Sequence, residues 1–322
     1  MINVLYAGSP DVSRNVLMFL LENERKFDFK IVGVLSNPPT AKGRHKELIP
    51  TPVAEEALKQ NIPVFTPEHL DGECREMISK INPDLLICFA YGHIFGTKFL
   101  EMFKYGGINI HPSLLPKYRG CTPVPACILN LDKQTAVTIQ TLSLKMDEGD
   151  ILAQEIIELT GNETTESLLC ESAEKGAKLI LPLFKEINET ESIPKGQPQQ
   201  GNASYTGIIT KSDSKIDWNL SSKKIDASVR AYFSEPGAWT TENNLTLKII
   251  ETKLISSAQI DGNKYKDETA GKVVDFNKKI GIIVKTGDGI IGIVRLQRQG
   301  KKIMNSNEFM NGARDFIGTL LA

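Results

Sequence analysis

Short apolar runs alternate with longer amphipathic stretches over the first 150 residues, and this pattern constrains the fold more than any other feature. Ile2 to Ala7 is a compact apolar run, Gly8 interrupts it, and Ser9-Pro10 has the chemistry of a helix start. Similar runs predict strands at Lys30 to Leu35 and at Asp84 to Phe89, with helices between them. This spacing predicts an α/β fold with a parallel, right-handed wound sheet.

The pattern changes twice further along the chain. From Ala136 to Ile157, two strand-like runs flank the turn at Met146 to Gly149, which predicts a hairpin, and a helix is predicted near Thr165 to Ile187. Residues 191–204 are rich in Pro, Gly and Gln, which is typical of an interdomain linker. Later short apolar runs predict a small barrel or sandwich. We therefore expect one domain over 1–190, a linker over 191–204 and a second domain over 205–322.

The balance of charge changes at the same place. The whole chain has 38 Lys plus Arg and 39 Asp plus Glu, a net charge of −1, which excludes a globally basic nucleic-acid coat protein. Residues 205–322 alone hold 18 basic and 13 acidic residues, a net charge of +5. Ordinary solvated lysines on a barrel and a weak electrostatic footprint for a polyanion both account for this surplus.

Several classes of protein are disfavoured by what the sequence lacks. The five cysteines form no Cys-x-x-Cys pair and the four histidines are dispersed, so we expect neither a disulfide framework nor a metal site. No apolar run is long enough to span a membrane and no signal-type core follows the N-terminus, so we expect a soluble, cytoplasmic protein. Motifs for dinucleotides, phosphate loops and serine hydrolases are also missing.

The stretch from Gly106 to Pro116 is the most informative for chemistry. Its apolar residues alternate with Asn109 and His111, so in a strand these two polar side chains point to one face. The carboxyl end of a parallel strand is where open α/β sheets bind ligands. An amide can donate to an oxyanion and an imidazole can move a proton near neutral pH. For an Asn and a His at this spacing alone, a structural role at the end of the strand is about as expected as a catalytic one.

Asp147, in the predicted hairpin turn, is the second candidate. A carboxylate in a turn is more often a local cap, and a functional role requires that it reach His111 or share a water molecule with it. A set of Asn, His and Asp would suit transfer of an acyl group to an amine. That reaction must stabilise a tetrahedral oxyanion and remove a proton from the attacking nitrogen.

Both segments also carry a family resemblance. Asn109 to Gly120 resembles the signature of the 10-formyltetrahydrofolate-dependent formyltransferases, and Asp147 to Asp150 is similar to the family's second signature. Other similar segments are spread over both predicted domains: Ala7 to Asp11, Lys42 to Lys46, Ala90 to Gly92, Lys215 to Trp218, Thr286 to Gly289 and Gly300 to Lys302.

The resemblance implies a fold and an activity. The fold would be a Rossmann-like N-terminal domain with a mostly parallel sheet, followed by a C-terminal OB-like β-barrel. The activity would be transfer of a formyl group from 10-formyltetrahydrofolate, a co-substrate, to the α-amino group of methionine on initiator tRNA. The implied partners are this methionyl-initiator tRNA and the folate donor, with no metal and no membrane, and we expect a monomer.

The resemblance also implies roles for individual residues. Asn109, His111 and Asp147 match the catalytic trio, and Ser113, Leu114, Leu115 and Pro116 match the folate-contacting loop. We expect the folate cleft to be completed by Phe89, Ala90, Tyr91, Gly92 and Ile94, although Phe89 is equally expected as ordinary strand core. The expected tRNA contacts are Lys42, Arg44 and Lys46 in an inserted loop, and Lys301 and Lys302 in the second domain; Lys223, Lys224, Lys278, Lys279 and Arg298 are further candidates.

Two alternatives remain open on the sequence. One is a different enzyme that uses the same formyl donor, such as a glycinamide ribonucleotide formyltransferase, a sugar-nucleotide formyltransferase or a formyltetrahydrofolate hydrolase. The other is a catalytically silent RNA-binding protein that keeps the first domain as a scaffold.

Overall fold

The computed structural model describes residues 1–42 and 47–322, which divide into two compact units. Unit 1 comprises Met1–Pro123, Gln134–Glu158 and Leu169–Thr206, and unit 2 comprises Val124–Lys133, Leu159–Leu168 and Gly207–Ala322. The division at residues 190 and 205 that composition indicates stays a prediction.

Unit 1 is built around a mostly parallel sheet. Its strands are β1 (Ile2–Ala7), β2 (Phe29–Leu35), β3 (Thr40–Lys42), β4 (Glu47–Ile49), β5 (Val64–Phe65), β6 (Leu85–Cys88), β7 (Gly107–His111), β8 (Arg119–Gly120), β9 (Gln134–Thr141), β10 (Ile151–Glu158) and β11 (Tyr205–Thr206). The main sheet has the order β10-β9-β7-β6-β1-β2-β5, in which β9 runs antiparallel to both of its neighbours, β7 and β10, and the other neighbouring pairs are parallel. This confirms the Rossmann-like α/β prediction and the β9–β10 hairpin.

Helices follow the strands in the expected alternation. They are α1 (Asp11–Phe27), α2 (Pro52–Lys59), α3 (Gly72–Ser79), α4 (Thr97–Leu100), α5 (Pro123–Leu129) and α6 (Thr165–Thr190). Of these, α5 from Val124 onward and the first turn of α6, up to Leu168, belong to unit 2. The caps of α2 and α3 are side chains: Thr51 accepts from the N–H of Ala54, and Asp71 from that of Cys74. Ser9 does not cap α1, contrary to expectation. Its Oγ lies at the end of β1 and accepts from the N–H of Asn37 instead.

Both faces of this sheet are buried. On one face, β-strand residues such as Tyr6, Ile110 and Ile139 pack with Leu17 of α1 and Phe184 of α6. The Phe184 ring stacks on Phe29 with centroids 3.8 Å apart. On the other face, the residues in between pack under α3 and α4. A sheet covered on both sides leaves its strand ends as the accessible edge, and the polar ends of β6 and β7 lie there.

Unit 2 is an antiparallel sheet of the OB-like type. Its strands are β12 (Trp239–Glu242), β13 (Leu245–Leu254), β14 (Val273–Asn277), β15 (Gly281–Lys285), β16 (Ile290–Arg298) and β17 (Met304–Asn305), with helices α7 (Ser222–Ala231) and α8 (Ser306–Gly312). The strand order is β12-β13-β16-β15-β14, with β17 beside β16. Isoleucines of β15 and β16 form the core together with Trp218, whose Nε1–H donates to Thr240.

Two absences concern the described residues only. Among the helices of 1–42 and 47–322, none has the length and apolar character that a bilayer span requires. Within the same residues, no three His, Cys, Asp or Glu side chains are grouped so that they could hold a metal ion.

The stacked pair of Phe29 and Phe184 provides a test of the core of unit 1. Phe184→Ala is expected to lower the free energy of unfolding by about 3–5 kcal/mol, because it removes a fully buried ring and leaves a cavity. Urea denaturation measures this, with the neighbouring exposed Lys185→Ala as the control. A loss below about 1 kcal/mol would contradict this packing.

Candidate active site

Strand β7 carries the first two candidate residues. Ile108 and Ile110 of β7 are fully buried in the core, so the alternation of a strand directs Asn109 and His111 to the opposite face. The neighbouring strands place Cys88 and Gln140 beside Asn109 in the sheet register. The predicted placement of both polar side chains on one face is therefore observed.

Asp147 reaches both of them from the turn between β9 and β10. The Nδ2 of Asn109 donates to Oδ1 of Asp147 at 3.4 Å, and Nδ1 of His111 lies 3.5 Å from the same oxygen. His111 is 4% exposed, whereas Asn109 is half-buried and the Asp147 side chain is 14% exposed. The amide, imidazole and carboxylate thus converge at one atom, and the group opens toward solvent on the side of Asn109 and Asp147.

The carboxylate of Asp147 is held from two sides. Gln140, which is 1% exposed, donates its Nε2–H to Oδ1 at 2.8 Å, and the backbone N–H of Gly120 donates to Oδ2 at 2.7 Å. Asp147 itself has a φ of 54°, a region that L residues rarely adopt. These short bonds account for how a turn residue with an uncommon backbone conformation keeps its side chain in place.

The ring of His111 has a defined orientation. Its Nε2 lies 2.9 Å from the carbonyl oxygen of Tyr118. A carbonyl only accepts hydrogen bonds, so Nε2 carries the proton, and Nδ1 is the nitrogen that faces Asp147. Any proton that His111 gains or loses during chemistry is therefore on Nδ1.

Two glycines allow the backbone to approach this group. A Cβ on Gly120, whose φ is 103°, would lie 2.2 Å from the carbonyl oxygen of Thr206. A Cβ on Gly149, two residues after Asp147, would lie 1.7 Å from the carbonyl oxygen of Thr141. Neither contact is possible for a real Cβ, so a side chain at either position would push the backbone away from Asp147.

Beneath the group lies an uncharged thiol. Cys88, at the end of β6, is buried, and this burial raises the pKa of its thiol to about 12. The floor of the site next to Asn109 is therefore neutral at physiological pH, and Asp147 is the group there that can carry negative charge.

The predicted folate loop follows β7. Ser113 is buried and donates its hydroxyl to the carbonyl of Lys117 at 2.7 Å, which closes the loop on itself. Leu115 is buried, whereas Leu114 and Pro116 are half-buried and available for contact. The hydroxyl of Ser113 thus shapes the loop.

The residues predicted to form the second wall of the folate cleft are divided between the core and the surface. The side chains of Phe89 and Tyr91 are 1% and 2% exposed and belong to the core of unit 1, so these residues can present only backbone groups. Ala90, Gly92 and Ile94 are exposed, and Ala90 and Gly92 have positive φ angles of 53° and 87°. Two roles are predicted for Phe89, an apolar wall of the folate cleft or strand core. Phe89 is strand core, because its side chain turns inward from the end of β6.

The residues predicted to contact tRNA differ in position, and two of them lie outside the described residues. Lys42 ends β3, and Arg44 and Lys46 lie outside the described residues. Lys301 and Lys302 are exposed in the turn after β16. Two further candidates have structural roles in unit 2: Arg298 pairs with Glu242 and lies 4.5 Å from the centroid of Phe309, and Lys224 donates to the carbonyl of Leu129.

Sequence reasoning missed several residues around Asp147. Arg119 and Gly120 lie inside the family-like stretch, so their position in the signature was a usable signal. Gln140 lies at the end of β9, where alternation gives it the same face as Asn109 across the register. Gln199 had no such signal, since it lies in the segment that composition indicates as a linker, yet it donates to the carbonyls of Asp147 and Gly149.

Similarity to known proteins extends over nearly the whole chain. The family model described as formyl transferase matches residues 1–183, and the model for the formyl transferase C-terminal domain matches residues 208–314. Methionyl-tRNA formyltransferase of Treponema denticola is 39% identical over 323 residues, which is 98% of both chains.

Solved structures share the fold at lower identity. A methionyl-tRNA formyltransferase from Clostridium thermocellum has a TM-score of 0.55 and 20% identity, over 79% of this chain and 94% of that one. WlaRD, a sugar 3N-formyl transferase solved in the presence of dTDP and 5-N-formyl-THF, has a TM-score of 0.60 and 24% identity, over 94% and 99%.

The close approach at Gly149 leads to a test of how the turn is held. Gly149→Ala is expected to lower the free energy of unfolding by about 1–3 kcal/mol, because the added methyl overlaps a backbone carbonyl. Gly96→Ala is the matched control, since its φ is −77° and nothing lies within 4 Å of its added Cβ. Equal stability of the two variants would contradict the described position of this turn.

Proposed function

This chain belongs to the formyl transferase family, and from that premise we propose that it transfers a formyl group from 10-formyltetrahydrofolate to the α-amino group of methionine on initiator tRNA. The observation that carries the proposal is the meeting of Asn109, His111 and Asp147 at a single carboxylate oxygen. The full-length similarity to a methionyl-tRNA formyltransferase supports this choice of acceptor.

The protein must support three events of this reaction: attack on the formyl carbon, loss of the folate nitrogen and transfer of a proton. The neutral amine attacks the formyl carbon, so a carbon–nitrogen bond forms and the carbonyl oxygen becomes an oxyanion. The bond from that carbon to the folate nitrogen then breaks. The amine's proton must reach the leaving nitrogen, so atoms and charge balance without a further reactant.

Asn109 and His111 supply the oxyanion donors in this proposal. The Asn109 contact to Asp147 is long, at 3.4 Å, and its amide has a second N–H for the substrate oxygen. When His111 is protonated, the added proton is on Nδ1 and can be donated to the oxyanion. A donor of this kind is typically worth about 3–4 kcal/mol of transition-state stabilisation.

Asp147 acts on His111 and on the proton. Its carboxylate lies 3.5 Å from Nδ1, so it stabilises the imidazolium and orients the ring. The part of Asp147 that is exposed can hold a water molecule that relays the proton from the amine to the folate nitrogen. The formyl donor is already activated, so this mechanism needs no metal.

The folate is proposed to lie between the exposed backbone of Ala90 and Gly92 and the loop of residues 113–116. Backbone groups in the left-handed region at these two positions can pair with the edge of a pterin, and Ile94 and Leu114 supply apolar contact. The tRNA is proposed to contact Lys42, Arg44, Lys46, Lys301 and Lys302. A role in translation initiation places the protein in the cytoplasm, and we propose that it acts as a monomer.

Replacement of each catalytic side chain tests the proposal. Asn109→Ala, His111→Ala and Asp147→Ala are each expected to lower kcat by about 10²–10⁴-fold, because each removes a donor or the charge that supports it. The assay offers a labelled formyl donor to methionyl-initiator tRNA, with Lys178→Ala, an exposed residue of α6, as control. Near-wild-type turnover in any variant that remains folded removes that residue from the mechanism.

An acceptor screen separates this proposal from the alternatives. The same donor is offered with charged initiator tRNA, uncharged tRNA, free methionine and an amino-sugar nucleotide. Formylation of the charged tRNA alone is expected. Formylation of the sugar nucleotide, hydrolysis without an acceptor, or binding of tRNA without formylation would each favour a different function.

The basic turn after β16 has its own test. The double variant Lys301→Ala/Lys302→Ala is expected to weaken tRNA binding and to reduce the slope of log K against log salt by about 1–2, since each phosphate contact contributes close to one unit. Lys178→Ala/Lys185→Ala, which removes two exposed lysines of α6, is the charge-matched control. An unchanged salt slope would exclude this turn from the tRNA surface.

A further inference from the structure

A segment far from Asp147 in the chain lies directly against the turn that carries it. Residues 197–206, here called the strap, are attached to unit 1 at both ends. Gln197 exchanges two backbone hydrogen bonds with Ile151, at 2.8 and 2.9 Å. At the other end, β11 pairs with β8, and the N–H of Arg119 donates to the carbonyl of Ser204. The strap therefore has a defined position beside the β9–β10 turn.

Gln199 of the strap uses both ends of its amide. Its Oε1 accepts from Nε of Arg119 at 3.0 Å and from a terminal nitrogen of the same guanidinium at 2.8 Å. Its Nε2 donates to the carbonyls of Asp147 and Gly149, each at 2.8 Å, and lies 3.3 Å from Oε1 of Gln140. One side chain thus ties the backbone on both sides of residue 148 to the rest of unit 1.

Arg119 determines the direction of every hydrogen bond that runs from it through Gln199 and Gln140 to Asp147. A guanidinium can only donate, so the oxygen of Gln199 must face Arg119 and its NH₂ group must face the turn. The oxygen of Gln140 must then face Gln199. The NH₂ group of Gln140 is therefore presented to Oδ1 of Asp147, which it meets at 2.8 Å. The permanent positive charge of Arg119 therefore determines that Gln140 presents an N–H donor to the Asp147 carboxylate.

Arg119 is itself held in place. Its guanidinium donates to the hydroxyl of Tyr205 at 2.7 Å and lies 3.1 Å from the carboxylate of Glu148. The Tyr205 hydroxyl in turn donates to Glu148, and this hydrogen bond lowers the pKa of the Glu148 carboxyl from its ordinary value. Arg119, Tyr205 and Glu148 thus anchor the relay by mutual contacts, Lys145 lies a further 3.8 Å from Glu148, and Tyr205 belongs to the strap.

We propose that Gln199 is a positioning residue for Asp147, acting through the relay Arg119–Gln199–Gln140 and through the two carbonyls of the turn. The proposal rests on the function proposed above, in which the Asp147 carboxylate takes part in catalysis. Asp147 has an uncommon positive φ, and a residue in that conformation keeps its place only when its surroundings hold it. The hydrogen bonds of Gln199 stabilise this conformation of Asp147 from a segment outside the β9–β10 hairpin.

Gln199→Glu tests the polarity of the relay with almost no change in shape. A glutamate still accepts from Arg119, but it has no NH₂ group for the two carbonyls or for Gln140. We expect kcat to fall about 10–100-fold, with KM for the folate and for the tRNA within about twofold, because the site is misplaced and binding surfaces are kept. Gln197→Glu, an exposed strap residue with the same change of charge, is the control.

A second arm asks whether the effect passes through Asp147. In the Asp147→Ala background, single-turnover measurements should show that Gln199→Glu costs less than about threefold more. Persistence of the full 10–100-fold loss in that background would overturn the proposal, since Gln199 would then act on the fold in general. An unchanged kcat in Gln199→Glu alone would overturn it as well.

Failure of the proposed function is distinguishable from failure of this inference. Near-wild-type turnover in Asp147→Ala would count against the catalytic role of Asp147, whatever Gln199 does. If Gln199→Glu does not fold, as judged by thermal unfolding, Gln199→Met replaces it. Methionine has similar length and no donor, so the same loss of kcat and the same dependence on Asp147 are expected.

Discussion

The Asp147 carboxylate is the acceptor at which the donors of the candidate site in unit 1 meet, although Asp147 belongs to the turn between β9 and β10. Its Oδ1 faces Asn109, His111 and Gln140, and its Oδ2 receives the backbone N–H of Gly120. A carboxylate in a turn has no strand neighbour to hold it, so donors brought from β7, β8 and β9 must do so. The main sheet places β7 and β9 side by side, and β8, which pairs with β11 of the strap, brings the N–H of Gly120 to the same carboxylate.

The same requirement explains features that have no direct part in chemistry. Gly120 and Gly149 lie where a Cβ would overlap a backbone carbonyl, so the chain can approach Asp147 there only with glycine. Tyr118 offers its carbonyl to Nε2 of His111 and so selects the nitrogen that faces the carboxylate. The strap adds Gln199, which links the charge of Arg119 to the same place.

Unit 2 distributes its positive charge between structure and surface. Arg298 pairs with Glu242 and stacks on Phe309, and Lys224 donates to a backbone carbonyl, so these cations stabilise the fold. Lys301 and Lys302 are exposed at the turn after β16. A net charge counted from the sequence does not separate these two uses, since only the partners of each side chain do so.

The amino-acid sequence by itself determined the strand–helix alternation of the first part, the hairpin around Asp147 and the common face of Asn109 and His111, because each depends on a local period or on turn chemistry. It carried the family signature, and with it the candidate trio. Only the tertiary structure decided that Phe89 and Tyr91 turn into the core, that Ser9 leaves α1 uncapped, and that Gln140 and Gln199 meet at Asp147. The hydrogen bonds of Gln199 with Arg119 and with Gln140 join residues 80 and 59 positions apart, and their direction follows from which group lies next to a fixed charge, which no local pattern contains.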